Sequence, residues 1–312
     1  MKIGFNNACL TGWDVDTTFS WASANGWPVI ELHGGPRYSY VDWEAIASGR
    51  NNPVADACAR TGIEVAGIMH GLLPFLSPDP DLRAKAVEDL DVLLRAAQRC
   101  EIPLVSTFTG RDSTKTLHEN LEGFARVFPA VADLAGRRGV RLAFENCPMY
   151  EFWPNDSNIA VSPSLWREMF SLVPNETLGI NLDPSHLVWQ GIDVGRAVRQ
   201  LAGRIWLVQA KDTERLPSVM ADEGMLTPRW WRHRLPGHGE VDWVEFFSAL
   251  QEVGYGGPVI VEHEDPMWSG DEGRVTAGLA LARETLEGVW GRSQRLENRM
   301  PGAIDRMERT VP

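Results

Sequence analysis

Cysteine is scarce in this chain, and the four present, Cys9, Cys58, Cys100 and Cys147, form no CxxC pair and follow no regular spacing. That pattern excludes a disulfide framework and a zinc ribbon, and it fits a reduced, cytoplasmic compartment. No apolar run approaches the ~18 residues of a membrane span. The chain also enters a strand-like segment, Lys2 to Asn7, with no charged-then-apolar leader before it. Neither a membrane nor secretion is expected. Positive charge is in short supply: 30 Lys and Arg stand against 42 Asp and Glu, a net −12. A surface of that sign repels polyanions, so nucleic acid is not an expected partner. GxGxxG and Walker loops are missing, which removes nucleotide-cradling motifs, and there are no low-complexity tracts or short repeats. Tyrosine is rare at four residues, beside eleven phenylalanines and thirteen tryptophans.

What is present is enough apolar material, 44% of 312 residues, for at least one large core. Eight β-rich runs recur: Ile3 to Asn6, Val29 to His33, Val65 to His70, Leu104 to Phe108, Arg141 to Glu145, Leu178 to Asp183, Ile205 to Ala210 and Val259 to Glu262. Amphipathic helical segments lie between them, among them Leu82 to Cys100, Leu117 to Arg138, Pro163 to Val173, Val194 to Leu201 and Trp243 to Val253. Several of the helices are followed by a glycine just before the next strand, such as Gly62 and Gly139, where a left-handed cap costs least. Strand and helix alternating eight times predict an α/β fold, a (β/α)8 barrel. The expected organisation is a catalytic barrel over residues 1–290 and a charged C-terminal arm or tail over 291–312. One connection is oversized: Thr213 to Val241, after the seventh strand, reads as an active-site insertion.

In such a barrel the chemistry sits where strands run out into the following loops. Strands five to eight end in Glu145-Asn146, Asp183-Pro184-Ser185-His186, Gln209-Ala210-Lys211-Asp212 and Glu262-His263-Glu264-Asp265. A carboxylate at the top of a buried strand costs several kcal/mol unless it is paired or bound to a cation. Each acid by itself could cap the next helix or pair with a nearby Arg or Lys. Four polar ends on consecutive strands point instead to a metal site. Glu145, Asp183, Gln209 and Glu262 would supply an all-oxygen ligand set, which suits Mn²⁺ or Mg²⁺ better than Zn²⁺.

The stretches GINLDPSHLVWQGID (Gly179 to Asp193), AKDTE (Ala210 to Glu214), LPGHGEVDW (Leu235 to Trp243) and VEHEDP (Val261 to Pro266) resemble the xylose-isomerase-like sugar phosphate isomerase/epimerase family. The resemblance implies a TIM barrel with a divalent metal held by Glu145, Asp183, the residue at 209 and Glu262. It departs from the family at one place: the usual His-x-His-Ala-Lys-Asp is here Leu207-Val208-Gln209-Ala210-Lys211-Asp212, so an amide oxygen stands in for imidazole. It further implies that Glu145 and Glu262 are the acid/base pair, and that His186, Glu151 and Arg215 hold substrate oxygens. His238 lies between glycines that would let its loop approach the site, and is either a general acid or substrate contact or a surface histidine. Lys211 could stabilise a developing enediolate, but neutralising a crowd of acids is the favoured reading. His263 is at most an orienter of Glu262 or the metal.

The implied reaction is isomerisation or epimerisation of a keto-sugar or related polyol through a metal-stabilised enediolate. The same intermediate can expel a β-leaving group, so a lyase acting on a keto-cyclitol, a dehydroshikimate-type substrate or a keto-glycoside is the alternative, and Gln209 resembles the dehydratases of the wider superfamily. A DNA-repair endonuclease is disfavoured by the acidic charge and the shortage of histidines, and the missing histidine at 209 is the only feature that favours a non-catalytic sugar-binding subunit. Trp13, Trp153, Trp230 and Trp231, with Trp189 and Trp268, fall after strand ends, where their rings would either bind a sugar or aglycone face or pack lids and subunit contacts. A homo-oligomer or hetero-oligomer is compatible with the charged tail.

Overall fold

Each of the eight apolar runs becomes a short parallel strand, because its residues are buried on both faces, inside the ring and under the helices. The computed structural model describes residues 1–35, 40–149 and 157–299. Its strands are β1 (Ile3–Asn6), β2 (Val29–His33), β3 (Glu64–His70), β4 (Leu104–Thr107), β5 (Arg141–Glu145), β6 (Leu178–Leu182), β7 (Ile205–Ala210), β8 (Asp212–Arg215), β9 (Trp231–Arg234) and β10 (Val259–Val261). All but β8 and β9 close into a barrel in the order β1-β10-β7-β6-β5-β4-β3-β2. The (β/α)8 expectation is met. The helices are α1 (Val15–Ala24), α2 (Trp43–Ser48), α3 (Pro53–Thr61), α4 (Pro80–Arg99), α5 (Leu117–Arg138), α6 (Pro163–Leu172), α7 (Ser185–Trp189), α8 (Val194–Gln200), α9 (Pro217–Glu223), α10 (Trp243–Glu252) and α11 (Glu272–Arg299). None among the described residues is long and apolar enough to cross a membrane.

The period of two along the strands sorts side chains between two cores. Ile30, Val105, Leu142, Phe144, Val208, Val259 and Val261 belong to the large cluster that also takes in the helices. Val29, Leu104, Ala143, Leu207 and Ile260, which alternate with them, form a small separate cluster with Ala66, the apolar floor inside the ring. Two residues further along the same strands come Glu31, Ser106, Glu145, Gln209 and Glu262. The layer above the floor is therefore polar, built by the same alternation that makes the floor apolar.

The oversized connection after β7 is folded. β8 pairs antiparallel with β9, Asp212 opposite Arg234 and Arg215 opposite Trp231, and α9 lies between them in sequence. At the other end, α11 runs without a break past Gly291 to Arg299. Residues 300–312 of the expected arm lie outside the described residues.

Candidate functional site

Glu145 ends β5 and Asp183 follows β6, and the two strand ends are tied together by one amide. Asn146 Oδ1 accepts from the Asp183 backbone N–H at 2.7 Å, and Asn146 Nδ2 donates to the Asp183 carbonyl at 2.9 Å. Asn158 does the same for the chain around Glu145, donating to the carbonyls of Glu145 and Cys147 at 2.8 and 2.9 Å. These buried amides let strand-end backbone leave the sheet without orphaned groups. Asp183 Oδ1 in turn accepts from the Ser185 N–H at 2.8 Å, which leaves Oδ2 facing Lys211 Nζ at 3.2 Å and His186 Nε2 at 3.3 Å.

Glu145, Asp183 and Glu262 each bring an oxygen within 4.8 Å of the others. Lys211 is pressed against this group, its Nζ 2.7 Å from Glu262, 2.8 Å from Glu264 and 3.2 Å from Asp183. Burial, with Asp183 adding repulsion and Lys211 opposing, pushes the Glu145 carboxyl up to about 8. Glu262 is raised by burial too, against the pull of Lys211. Burial would depress Lys211, but the carboxylates of Glu262, Glu264, Asp183 and Glu145 outweigh it and hold the ammonium well above its usual range. Glu264 is brought down to about 2, because Lys211 and His233 overcome its desolvation. A single ammonium among four acids leaves an excess of negative charge that a divalent cation suits.

His186 sits beside the group, its Nε2 3.3 Å from Asp183 and 3.6 Å from Glu145. Burial lowers its pKa to about 3, so the ring is neutral. The Trp189 indole donates to Nδ1 at 3.4 Å, which assigns the ring hydrogen to Nε2, facing the carboxylates. That bears on a choice between two ligand groupings. Glu145, Cys147 and His186 also converge within 4.8 Å, but an Nε2 that carries hydrogen donates and does not ligate. The carboxylate grouping is favoured.

Gln209 is fully buried in the polar layer, its Nε2 donating to Glu31 Oε2 at 2.9 Å, with its Oε1 unpartnered. Glu31 also accepts from Asn6 and is raised to about 7 by burial. Glu31 and His233 escaped the reading of the sequence, and Asn146 and Glu264, though read at their strand ends, were given no role. Glu31 and Glu264 were accessible in principle, since each is an acid two residues along from a position already facing inward.

The remaining residues are placed otherwise than at the carboxylates. Arg215 is taken up by Glu240, at 2.9 and 2.6 Å. His238 is exposed, and its flanking glycines serve Asp212: Gly237, at φ +86°, donates to Asp212 Oδ2, and a Cβ on Gly239 would collide with Oδ1. Trp231 stacks on Trp189 at 4.9 Å and 3°, with Trp230 edge-on to Trp189, so these buried rings dock the β8–β9 insertion onto α7 and back up His186. Trp13 meets Trp21 edge-on and donates to Glu272. His263 points at Gly278 of α11. Glu151 and Trp153 lie outside the described residues.

Asp212 holds the whole insertion, accepting from the N–H groups of Thr213, Gly237 and Val241 and from the Trp243 indole, all at 2.8–2.9 Å. Asp212→Ala is expected to cost about 3–5 kcal/mol, since it strands several buried donors, and Asp212→Asn about 1–2 kcal/mol. Urea denaturation midpoints unchanged from the parent would contradict this.

The family model for xylose isomerase-like TIM barrels matches residues 19–287. A D-psicose 3-epimerase of Ruminiclostridium cellulolyticum is 23% identical over 247 residues, 76% of this chain and 74% of that protein. The uncharacterized protein YfiH of Bacillus subtilis is 37% identical over 114 residues, so the match spans only 36% of its length and 33% of this chain. A solved structure of an IOLI protein with a binding zinc atom superposes with a TM-score of 0.72 at 19% identity, covering 94% of this chain and 98% of that one.

Proposed function

The chain belongs to the xylose isomerase-like TIM barrel family, and on that premise we propose that it is a divalent-cation-dependent isomerase or epimerase of a keto-sugar or related polyol, working by proton removal next to a carbonyl. One observation carries the reading: three buried carboxylates, Glu145, Asp183 and Glu262, bring oxygens within 4.8 Å of one another. The buried Gln209 Oε1 fits the same idea, since it is an acceptor with no hydrogen-bond donor. Glu145, Asp183, Glu262 and Gln209 would hold the cation, and an all-oxygen set favours Mn²⁺ or Mg²⁺. The bound cation would supply Lewis-acid stabilisation of charge building on the substrate carbonyl oxygen.

The protein's own groups divide the rest. Glu145 on β5 and Glu262 after β10 are separated in the barrel by β6 and β7, so a substrate between them presents one face to each. Glu145 or Glu262, once ionised, takes the proton from the carbon beside the carbonyl, and the other, in its acid form, returns one to the opposite face. Their placement on opposite sides of the substrate lets each act as base or acid in turn. His186 Nε2–H is a neutral donor for a substrate hydroxyl or carbonyl oxygen. Lys211 keeps the uncompensated charge of Glu264 from adding to that of the pair. The D-psicose 3-epimerase relative supports a ketose as the substrate class.

Incubating the protein with free ketoses, keto-cyclitols and 3-keto-glycosides in D₂O with Mn²⁺ tests this. An epimer or isomer carrying deuterium at the carbon next to the carbonyl is the expected product. An unsaturated product or a released aglycone would replace the reading by the lyase alternative, in which the same carbanion expels a β-substituent.

A further inference from the structure

The amide of Gln209 has chemically opposite ends, so its worth as a ligand depends on which end faces the carboxylates. Its neighbours decide that. The Ala8 N–H donates to Asn6 Oδ1 at 2.9 Å, so Asn6 Nδ2 is the end that reaches Glu31 Oε2, at 2.7 Å. Gln209 Nε2 donates to the same Oε2 at 2.9 Å. Oε2 accepts both hydrogens, as it can whether or not Oε1 carries a proton. A flipped Gln209 would set oxygen against oxygen at that distance. The amide nitrogen is therefore committed to Glu31, and the oxygen turns away from it, buried and without a hydrogen-bond partner. Leaving a buried acceptor unpaired is unfavourable, a cost that an interaction outside the protein's own hydrogen bonds would recover.

We propose that Glu31 is a positioning residue that locks Gln209 with its amide oxygen, rather than its nitrogen, presented to the cation site of Glu145, Asp183 and Glu262. The proposal rests on Gln209 being the fourth ligand. Asn6, Glu31 and Gln209 come from β1, β2 and β7, so the device spans the barrel interior. Asn6 and Glu31 face each other in the β1–β2 register, and Gln209 reaches them across the polar layer. Glu31 is the end of the chain of assignments that starts at the Ala8 N–H, and replacing it by an apolar side chain removes the acceptor that holds the Gln209 nitrogen.

The test is Mn²⁺ affinity by equilibrium dialysis of the full chain, with circular dichroism to confirm folding. Glu31→Met removes the acceptor that holds Gln209 Nε2 and is expected to weaken binding about 10–100-fold, with Gln209→Ala weakening it at least as much. Glu31→Gln is the control: Asn6 Nδ2 faces the place of Glu31 Oε2, so the new amide sets its oxygen there and goes on accepting from Asn6 and Gln209. Its affinity is expected to stay within about threefold of the parent. Should Glu31→Met fail to fold, Glu31→Ala carries the same test. A folded Glu31→Gln that binds as weakly as Gln209→Ala overturns the positioning role. So does parental affinity in folded Glu31→Met while Gln209→Ala is weak, an outcome that leaves the ligand set intact. Parental affinity in Gln209→Ala removes Gln209 from the ligand set and this proposal with it, while the three carboxylates stand.

Discussion

Glu145→Gln and Glu262→Gln are each expected to lower turnover by a factor of about 10²–10⁴, the usual contribution of a positioned acid or base. The substitution preserves shape, so the loss is chemical. An amide can neither take the proton from carbon nor return one, and loss of either partner stops transfer from one face to the other. Both side chains are raised by burial, and in the protein without metal each is an unfavourable group to ionise. Neither variant should therefore unfold at a lower temperature than the parent when divalent cations are absent. That pairing of lost activity with kept stability separates a catalytic role from a structural one. Near-parental solvent-deuterium exchange in either variant would remove that residue from the acid/base pair.

Freed of divalent cations, the protein is expected to lose stability as the pH rises from about 7 to about 9. Glu145 is raised to about 8 and Glu31 to about 7, with Glu262 shifted the same way. A carboxyl raised in the folded state holds a proton that the unfolded chain has already released. Its stabilising contribution is full below the unfolded value of about 4.5 and is lost as pH climbs through the folded one. The buried histidines act in the opposite sense: His186 lies at about 3 and His33 at about 4. Their effect is confined to pH below about 6.5, where the unfolded chain would take up protons. Lys211 and Glu264 titrate outside the window. A loss of at least about 1 kcal/mol corresponds to a fall in Tm of about 2–4 °C. With Mn²⁺ at saturation the trend should reverse, because the ligands must be ionised to bind and the cation releases their protons. A metal-free Tm that stays level or rises from pH 7 to 9 would contradict the assigned burial of these acids.

The barrel was legible because its strands are apolar on both faces and its helices on one, and the eight predicted runs recover the barrel strands to within a residue or two at their ends. Glycine caps at Gly62 and Gly139 adopt positive φ, 73° and 69°, where the sequence places the helix ends. Glu145, Asp183 and Glu262 could be named because an acid after an apolar run is conspicuous, and the structure brings their oxygens together. The β8–β9 hairpin was hidden because its strands, DTER and WRHR, are polar along their length. Their pairing draws on charge instead, with Glu214 meeting Arg232 and Arg234 across the ladder. For the same reason the sequence left two roles open for the tryptophans of the insertion: composition marks Trp230 and Trp231 as aromatic, but only the hairpin fold shows them buried and packed against Trp189. Glu31 was overlooked because it lies at the middle of β2, not at its end, and belongs to no motif. Its partner Gln209 is 178 residues away in sequence, and no local pattern encodes that contact.

The account stands or falls on a cation held by the strand-end carboxylates, and Mn²⁺ binding measured by equilibrium dialysis addresses that directly. The prediction is one Mn²⁺ per chain for the parent, weakening by at least about 10-fold in Asp183→Asn, whose side chain is a proposed ligand and not a member of the acid/base pair. Parent protein that binds no Mn²⁺ or Mg²⁺ after reconstitution, or Asp183→Asn that binds as the parent does, would contradict it.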